Sequence, residues 1–228
     1  MSNGRRTAAL VCEGPTDIPL LDALIRILWP EVDNVLRLQP EVDGLDKPLP
    51  GSLTGWSEVR AWCERNAPHL RSLLSGTIGD PIDLLVVALD VDIAIAAGIV
   101  DPPTKASPYE ARRLCDTVKG WLRPPRTQNL PPELVIALPA MASEAWVVAA
   151  LFPKEKRPEA VENPAELLVK KRKLSRKANG KPHKELHKYQ AFGDHVAARL
   201  GSVRARCPEC ERLCVKIEHL RDRVEKAA

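Results

Sequence analysis

Leu10-Val11-Cys12-Glu13-Gly14-Pro15-Thr16-Asp17 carries an apolar strand into an acidic residue at a glycine turn. Thr7 to Cys12 predict a short buried strand, and Gly14 lets the chain reverse tightly. Leu20, Leu21, Leu24, Ile25 and Leu28 then recur at helical spacing from about Asp17 to Trp29. Pro19 is tolerated in the first turn of that helix and Pro30 ends it. Glu13 therefore stands where the carboxyl end of a strand meets a helix, a place where the fold alone seldom needs a carboxylate.

Ile82 to Leu89 is the strongest strand pattern in the chain, nearly all apolar, as expected of a central parallel strand covered on both faces. It runs into Asp90-Val91-Asp92. Further strands are predicted at Val35–Leu38 and Leu134–Leu138, and helices over Trp56–Leu74 with a bend at Pro68, over Pro108–Leu122, and onward from Ser143-Glu144 to Phe152. Gln39–Gly55 and Ile93–Ser107 read as loop and linker. The alternation predicts an α/β fold, a Rossmannoid parallel sheet flanked by crossover helices. Ligands in such sheets bind beyond the carboxyl ends of the strands, where Glu13, Asp90, Asp92 and Glu144 all fall.

From Pro153 the composition shifts, dividing the chain into an expected catalytic domain over 1–153 and a basic, mainly helical C-terminal extension over 154–228. The first part holds 14 Lys and Arg against 19 Asp and Glu, the second 20 against 11. An acidic site beside a basic tail suits an enzyme that acts on a polyanion through a metal. With 44% hydrophobic and 28% charged residues, the 228-residue chain is ordinary for a globular protein. No apolar run reaches the ~18 residues of a membrane span, and Met1–Arg6 is too polar to begin a secretory signal, so the expected setting is the cytoplasm, with no membrane partner. Six scattered cysteines do not resemble the dense framework of a small secreted domain and are expected as thiols.

Two acids alternating along an extended chain share a side about 6.6 Å apart, at ~3.3 Å per residue. Such a pair can hold or flank a hard cation, and carboxylates converging from separate strands suit Mg²⁺, or Mn²⁺, better than nitrogen or sulfur ligands would. Each acid also has a plainer role open to it. Glu13, Asp90 or Asp92 can bond within a turn, Asp17 can cap the first helix, and Glu144 can complement a helix dipole for ~0.3–1 kcal/mol.

Glu13-Gly-Pro-Thr-Asp17 after one apolar strand and Asp90-x-Asp92 after another resemble the TOPRIM domain shared by topoisomerases, DnaG-type primases, RecR-type recombination proteins and OLD-family nucleases. The Glu-x-x-x-Asp spacing is most similar to the OLD-type branch, and Ser143-Glu144-x-Trp146 resembles a third acidic motif of small RloB-like proteins of bacterial defence operons. The similarity covers about residues 7–152 and, more loosely, the Lys184–Tyr189 neighbourhood. It implies a TOPRIM-like fold and Mg²⁺-dependent cleavage of phosphodiester bonds, in phage or plasmid defence. Glu13, Asp90, Asp92 and Glu144 are the implied catalytic residues, and these four with Asp17 the implied metal ligands. Asp90 and Asp92 would hold the cation, and Glu13 would ligate or transfer a proton. Only two tyrosines, Tyr109 and Tyr189, are present, and nothing in the chain could form a strand-passing gate. No nucleotide-binding motif supports primase, which leaves nuclease. OLD-type nucleases work with an ATPase, and since no Gly-x-x-x-x-Gly-Lys-Ser/Thr loop is present, that partner would be a separate chain.

Lys170, Lys171, Arg172 and Lys173, with Lys184 and Lys188, are the expected nucleic-acid contacts, DNA before RNA, each neutralised phosphate adding salt-sensitive affinity. Lys184 and Lys188 are the basic residues expected nearest the chemistry. Cys207-Pro208-Glu209-Cys210 with Cys214 invites a zinc reading, but Cys210, Leu213, Cys214, Ile217, Leu220 and Val224 recur as one apolar helix face, so zinc is disfavoured. The rival reading keeps the fold without catalysis, as an interaction module that binds nucleic acid or a protein partner.

Overall fold

The computed structural model describes residues 6–41, 54–92, 111–123 and 129–227. Strand β1 (Arg6–Val11), helix α1 (Asp17–Leu28) and strand β2 (Val32–Gln39) form the first crossover unit. Helix α2 (Trp56–Asn66), a 3-10 turn (Ala67–His69) and helix α3 (Leu70–Leu74) lead to β3 (Leu84–Ala88), with the bend at Pro68 as expected. Helix α4 (Ala111–Trp121) precedes β4 (Leu134–Ala137). After it come α5 (Glu144–Leu151), α6 (Pro164–Lys170), a hairpin of β5 (Ser175–Arg176) and β6 (Pro182–His183), and helices α7 (Leu186–Ala198), α8 (Leu200–Arg204) and α9 (Pro208–Ala227).

The four main strands pair in the order β2-β1-β3-β4, every pair parallel. Side chains alternate between two cores, one on each face of the sheet. Ala8, Leu10, Leu84, Val86, Val135 and Ala137 face α1, α5 and the C-terminal helices, while Ala9, Val11, Leu85, Val87 and Ile136 face α2, α3 and α4. Every residue of β3 is buried, which explains its unbroken apolar sequence. Val11 lies opposite Val87, and Ala88 opposite Ala137, so the chain leaves β1, β3 and β4 along one edge. That common edge is what gathers the acidic residues.

Beyond residue 153, Leu168, Tyr189, Val196, Val203, Ile217 and Leu220 join the same core as Leu10 and Val86. Helix α7 lies so close to α1 that a Cβ on Gly193 would sit 2.6 Å from the carbonyl oxygen of Pro19. The Glu159 carboxylate accepts hydrogen bonds from the Glu209 and Cys210 amides and from Trp146 Nε1, satisfying the amino end of α9 and tying it to α5. Cys207, Cys210 and Cys214 are fully buried with Leu213 and Ile217 on the face of α9 that packs into the core.

Three expected boundaries shift. β2 begins at Val32 rather than Val35 because its pairing with β1 tolerates the exposed Asp33 and Asn34 on an edge strand. The basic loop expected over Arg176–Lys188 is a hairpin followed by the first turn of α7, held by Arg176, which donates to Glu166 and to the Gly180 carbonyl. Asp90 and Asp92 do not sit on extended chain, since β3 ends at Ala88 and Val91–Asp92 are helical. The expected linker over Ile93–Ser107 and most of the expected loop over Gln39–Gly55 lie outside the described residues. Among the described residues, no helix is long and apolar enough to cross a membrane.

Candidate functional site

Glu13 leaves β1 two residues beyond Val11, and Asp90 leaves β3 three beyond Val87, so the strand register brings them together. Glu13 Oε1 accepts the Asp90 amide N–H at 2.7 Å. Beyond β3 the backbone turns helical at Val91–Asp92, so the ~6.6 Å spacing of an extended Asp-x-Asp pair does not apply. Asp17, the first residue of α1, accepts the Gly14 N–H on one oxygen (3.2 Å) and the Ser143 hydroxyl on the other (2.7 Å). Its carboxylate is therefore a tertiary link as well as a turn partner, which corrects the helix-cap reading. Ser143 also donates its amide N–H to Asp90 Oδ1 at 3.2 Å, so one residue bridges Asp17 and Asp90. Ser143 closes the turn after β4, in which Met141 takes a left-handed φ of 60°.

Glu144 begins α5 and is 1% exposed. Its Oε1 accepts the Tyr189 hydroxyl from α7 and lies 2.7 Å from Lys184 Nζ, which follows the hairpin. The second oxygens of both Glu13 and Glu144 are buried and accept no hydrogen bond from the described residues. Buried acceptors without donors are uncommon and need an explanation.

The carboxylates repel one another. Burial, with repulsion from Asp17 and Asp92, pushes Glu13 up to about 8 against the opposing Asp90 amide and the Lys184 ammonium. Burial, then Asp17, Glu13 and Glu144, hold Asp90 well above the usual carboxylate range. Burial and the nearby Glu144 raise Asp17, with the Ser143 hydroxyl working the other way. Lys184 is raised because Glu144, Asp17 and Asp90 outweigh the burial that disfavours its charge. Beneath them Cys12 is fully buried, and burial with the negative cluster lifts its thiol far from the reactive range.

Oxygen donors crowded to the point of mutual repulsion, with two orphan oxygens, have the chemistry of a hard-cation site. Among the described residues, no three Asp, Glu, His or Cys side chains form a group already set to hold a metal ion. The two observations are compatible, since Mg²⁺ is commonly bound by one or two carboxylates, with water and phosphate oxygens completing its shell. One or two of Glu13, Asp17 and Asp90 would suffice to hold such an ion. Glu144 is engaged by Lys184 and Tyr189, and Asp92 stands at the exposed rim, acting on Glu13 through its charge.

Of the basic residues, Lys184 enters the cluster, whereas Lys188 pairs with Glu185, the residue that precedes its helix. Lys170 to Lys173 are all exposed at the end of α6 and in the turn after it. The structure gives Ser143 and Tyr189 roles beside these acids. Ser143 stands in the quoted Ser143-Glu144-x-Trp146 motif, and Tyr189 closes the Lys184–Tyr189 neighbourhood that the resemblance loosely reaches, where a buried tyrosine hydroxyl seeks a partner. Compared with family models, curated proteins and solved structures, the chain finds no match, so the argument for its function rests on this geometry.

Proposed function

We propose that this chain is a TOPRIM-like nuclease, dependent on Mg²⁺ or Mn²⁺, that cleaves phosphodiester bonds of nucleic acid at the Glu13, Asp17 and Asp90 cluster. The observation that carries the reading is the convergence, at one edge of a parallel sheet, of mutually repelling carboxylates, with two buried oxygens that no donor among the described residues satisfies. A divalent ion there would supply Lewis-acid stabilisation of charge on a phosphoryl oxygen. Without the ion, burial and the neighbouring Asp17 and Asp92 raise Glu13 to about 8; it would act as a ligand if the ion displaced its proton, or in general acid–base work if it stood off the ion. Asp17 and Asp90 are oriented by Ser143. Between Glu166 and Glu185 the chain carries eight Lys and Arg and no acid, a stretch able to neutralise phosphates beside the site.

Plasmid, linear DNA and RNA incubated with Mg²⁺ or Mn²⁺ test the proposal, using wild type beside Glu13→Gln and Asp90→Asn, which keep the shapes of the side chains. The expected result is metal-dependent cleavage by wild type and at least a ~10²-fold loss in each variant, the scale of a lost acid–base group. Undiminished cleavage by both variants would overturn the assignment. An ATPase chain in trans is part of the proposal, and the assay includes one encoded beside this chain where it exists.

The non-catalytic reading has one observation in its favour, that Glu144 is already neutralised by Lys184 and Tyr189. It predicts salt-sensitive nucleic-acid binding with neither cleavage nor a metal-induced rise in melting temperature.

A further inference from the structure

Two donors reach Glu144, and both crowd the same oxygen. Tyr189 Oη and Lys184 Nζ meet Oε1, while Oε2 stays buried without a donor among the described residues. A pair built only to hold the fold would satisfy both oxygens, because an unmatched buried acceptor costs ~1–3 kcal/mol. The partners also differ in freedom, since the Lys184 side chain is 43% exposed and that of Glu144 is 1% exposed. Glu144 is fixed at the start of α5, whereas Lys184 follows the short β6 strand and can swing to solvent without opening the core. Its ammonium acts on more than Glu144, opposing the charge of Glu13, Asp17 and Asp90 as well. One monovalent cation thus sits against a carboxylate cluster whose chemistry suits a divalent one.

We propose that Lys184 is a resident counter-cation, holding the cluster together through Glu144 and leaving it when a divalent ion enters, so that this positioning residue sets the cation affinity of the site. The inference rests on the reading of the cluster as a divalent-cation site. Displacement frees Glu144 for the ion and delivers a positive charge to the base of the hairpin that carries Arg176, Lys177 and Lys181. Filling the site and presenting a cation to an approaching phosphate become one event.

Mn²⁺ binding to the full chain, read by electron paramagnetic resonance of the free ion and by calorimetry, tests the idea together with melting temperature in EDTA. Lys184→Met removes the charge and keeps the bulk; Lys184→Gln, which can still donate to Glu144, serves if the methionine variant fails to fold. Removing a competing unit charge at contact distance is expected to tighten Mn²⁺ binding by at least ~10-fold. The same variant should melt lower than wild type in EDTA and regain more on adding Mn²⁺, while Lys184→Arg stays near wild type. Unchanged or weakened binding in the uncharged variants, with wild type binding normally, would overturn this role and leave the metal site standing. Absence of Mn²⁺ binding in wild type and variants alike would overturn both. Binding that appears only once the charge is removed supports the counter-cation role in its strongest form.

Discussion

Glu13 carries the most legible titration in the molecule. A carboxyl whose folded value rises from 4.5 to about 8 keeps its proton in the native state while the unfolded chain has released it. The native state therefore binds more protons between those values, and stability must fall as pH rises from about 4.5 through 8. At ~1.4 kcal/mol per pK unit the share from Glu13 is a few kcal/mol, on the order of 10 °C in melting temperature for a chain of this size. Thermal denaturation in EDTA is expected to show that decline, with Asp17 and Asp90 adding to it in the same direction. Glu13→Gln still offers an oxygen to the Asp90 amide, so it should flatten the profile and melt above wild type at pH 8.5. Equal slopes in the two proteins would count against the buried, repelled Glu13. Divalent ions should compress the same difference, because binding to carboxylates displaces their protons.

At the scale of elements, the packing of α7 on α1 decides whether the site is assembled at all. Helix α1 brings Asp17 and α7 brings Tyr189, and the two helices approach at Gly193, one turn beyond Tyr189. A methyl group there would meet the Pro19 carbonyl oxygen at 2.6 Å and the Ala23 Cβ at 3.1 Å, and the first contact is with backbone that cannot swing aside. Gly193→Ala should cost about 1–3 kcal/mol through overpacking, offset in part by up to ~1 kcal/mol from its better helix propensity. It should also displace Tyr189 from Glu144, so the loss in cation binding or cleavage should exceed what an equally destabilising change on α2 produces. The strands beneath these helices were readable in advance: β1, β3 and β4 are apolar runs ending at Glu13, Asp90 and Glu144, and local hydrophobicity is the signal that makes a buried strand. The pairing of Tyr189 with Glu144 spans 45 residues and depends on how close two helices approach, which no local pattern encodes. The helical turn at Val91–Asp92 is likewise held by long-range bonds that no local pattern shows, from the Val91 and Asp92 amides to the Pro139 and Met141 carbonyls and from the Asp90 amide to Glu13.

At the scale of the whole molecule, the change of composition at Pro153 marks a change of charge, while the core runs straight across it. Charge segregation was visible in the sequence because it is a sum over residues, but shared burial depends on three-dimensional packing. Helix α9 lies against the sheet, where Lys216 Nζ donates to the Ile136 carbonyl and Arg221 donates to the Leu28 carbonyl at the end of α1. Tyr189, Phe192, Val196 and Ile217 cover the same core as Leu10, Val86 and Trp146. A chain cut after Pro153 would keep all four main strands with α1 and α5, and lose the part of the apolar cover on that face contributed by the C-terminal helices. At ~25 cal/mol per Å² of apolar surface, even a few hundred Å² uncovered exceeds half of a typical net stability of 5–15 kcal/mol. Residues 1–153 alone should therefore form a loosely packed state with bound ANS, little near-UV circular dichroism and no sharp thermal transition. Trp29 and Trp146, both almost fully buried in the whole chain, report this directly through a red-shifted emission in the truncated one. A cut protein that melted cooperatively with blue-shifted tryptophans would show that the sheet closes its core without the basic segment. In that case Lys184 and Tyr189 would be additions to a finished domain rather than parts of the structure that holds the acids together.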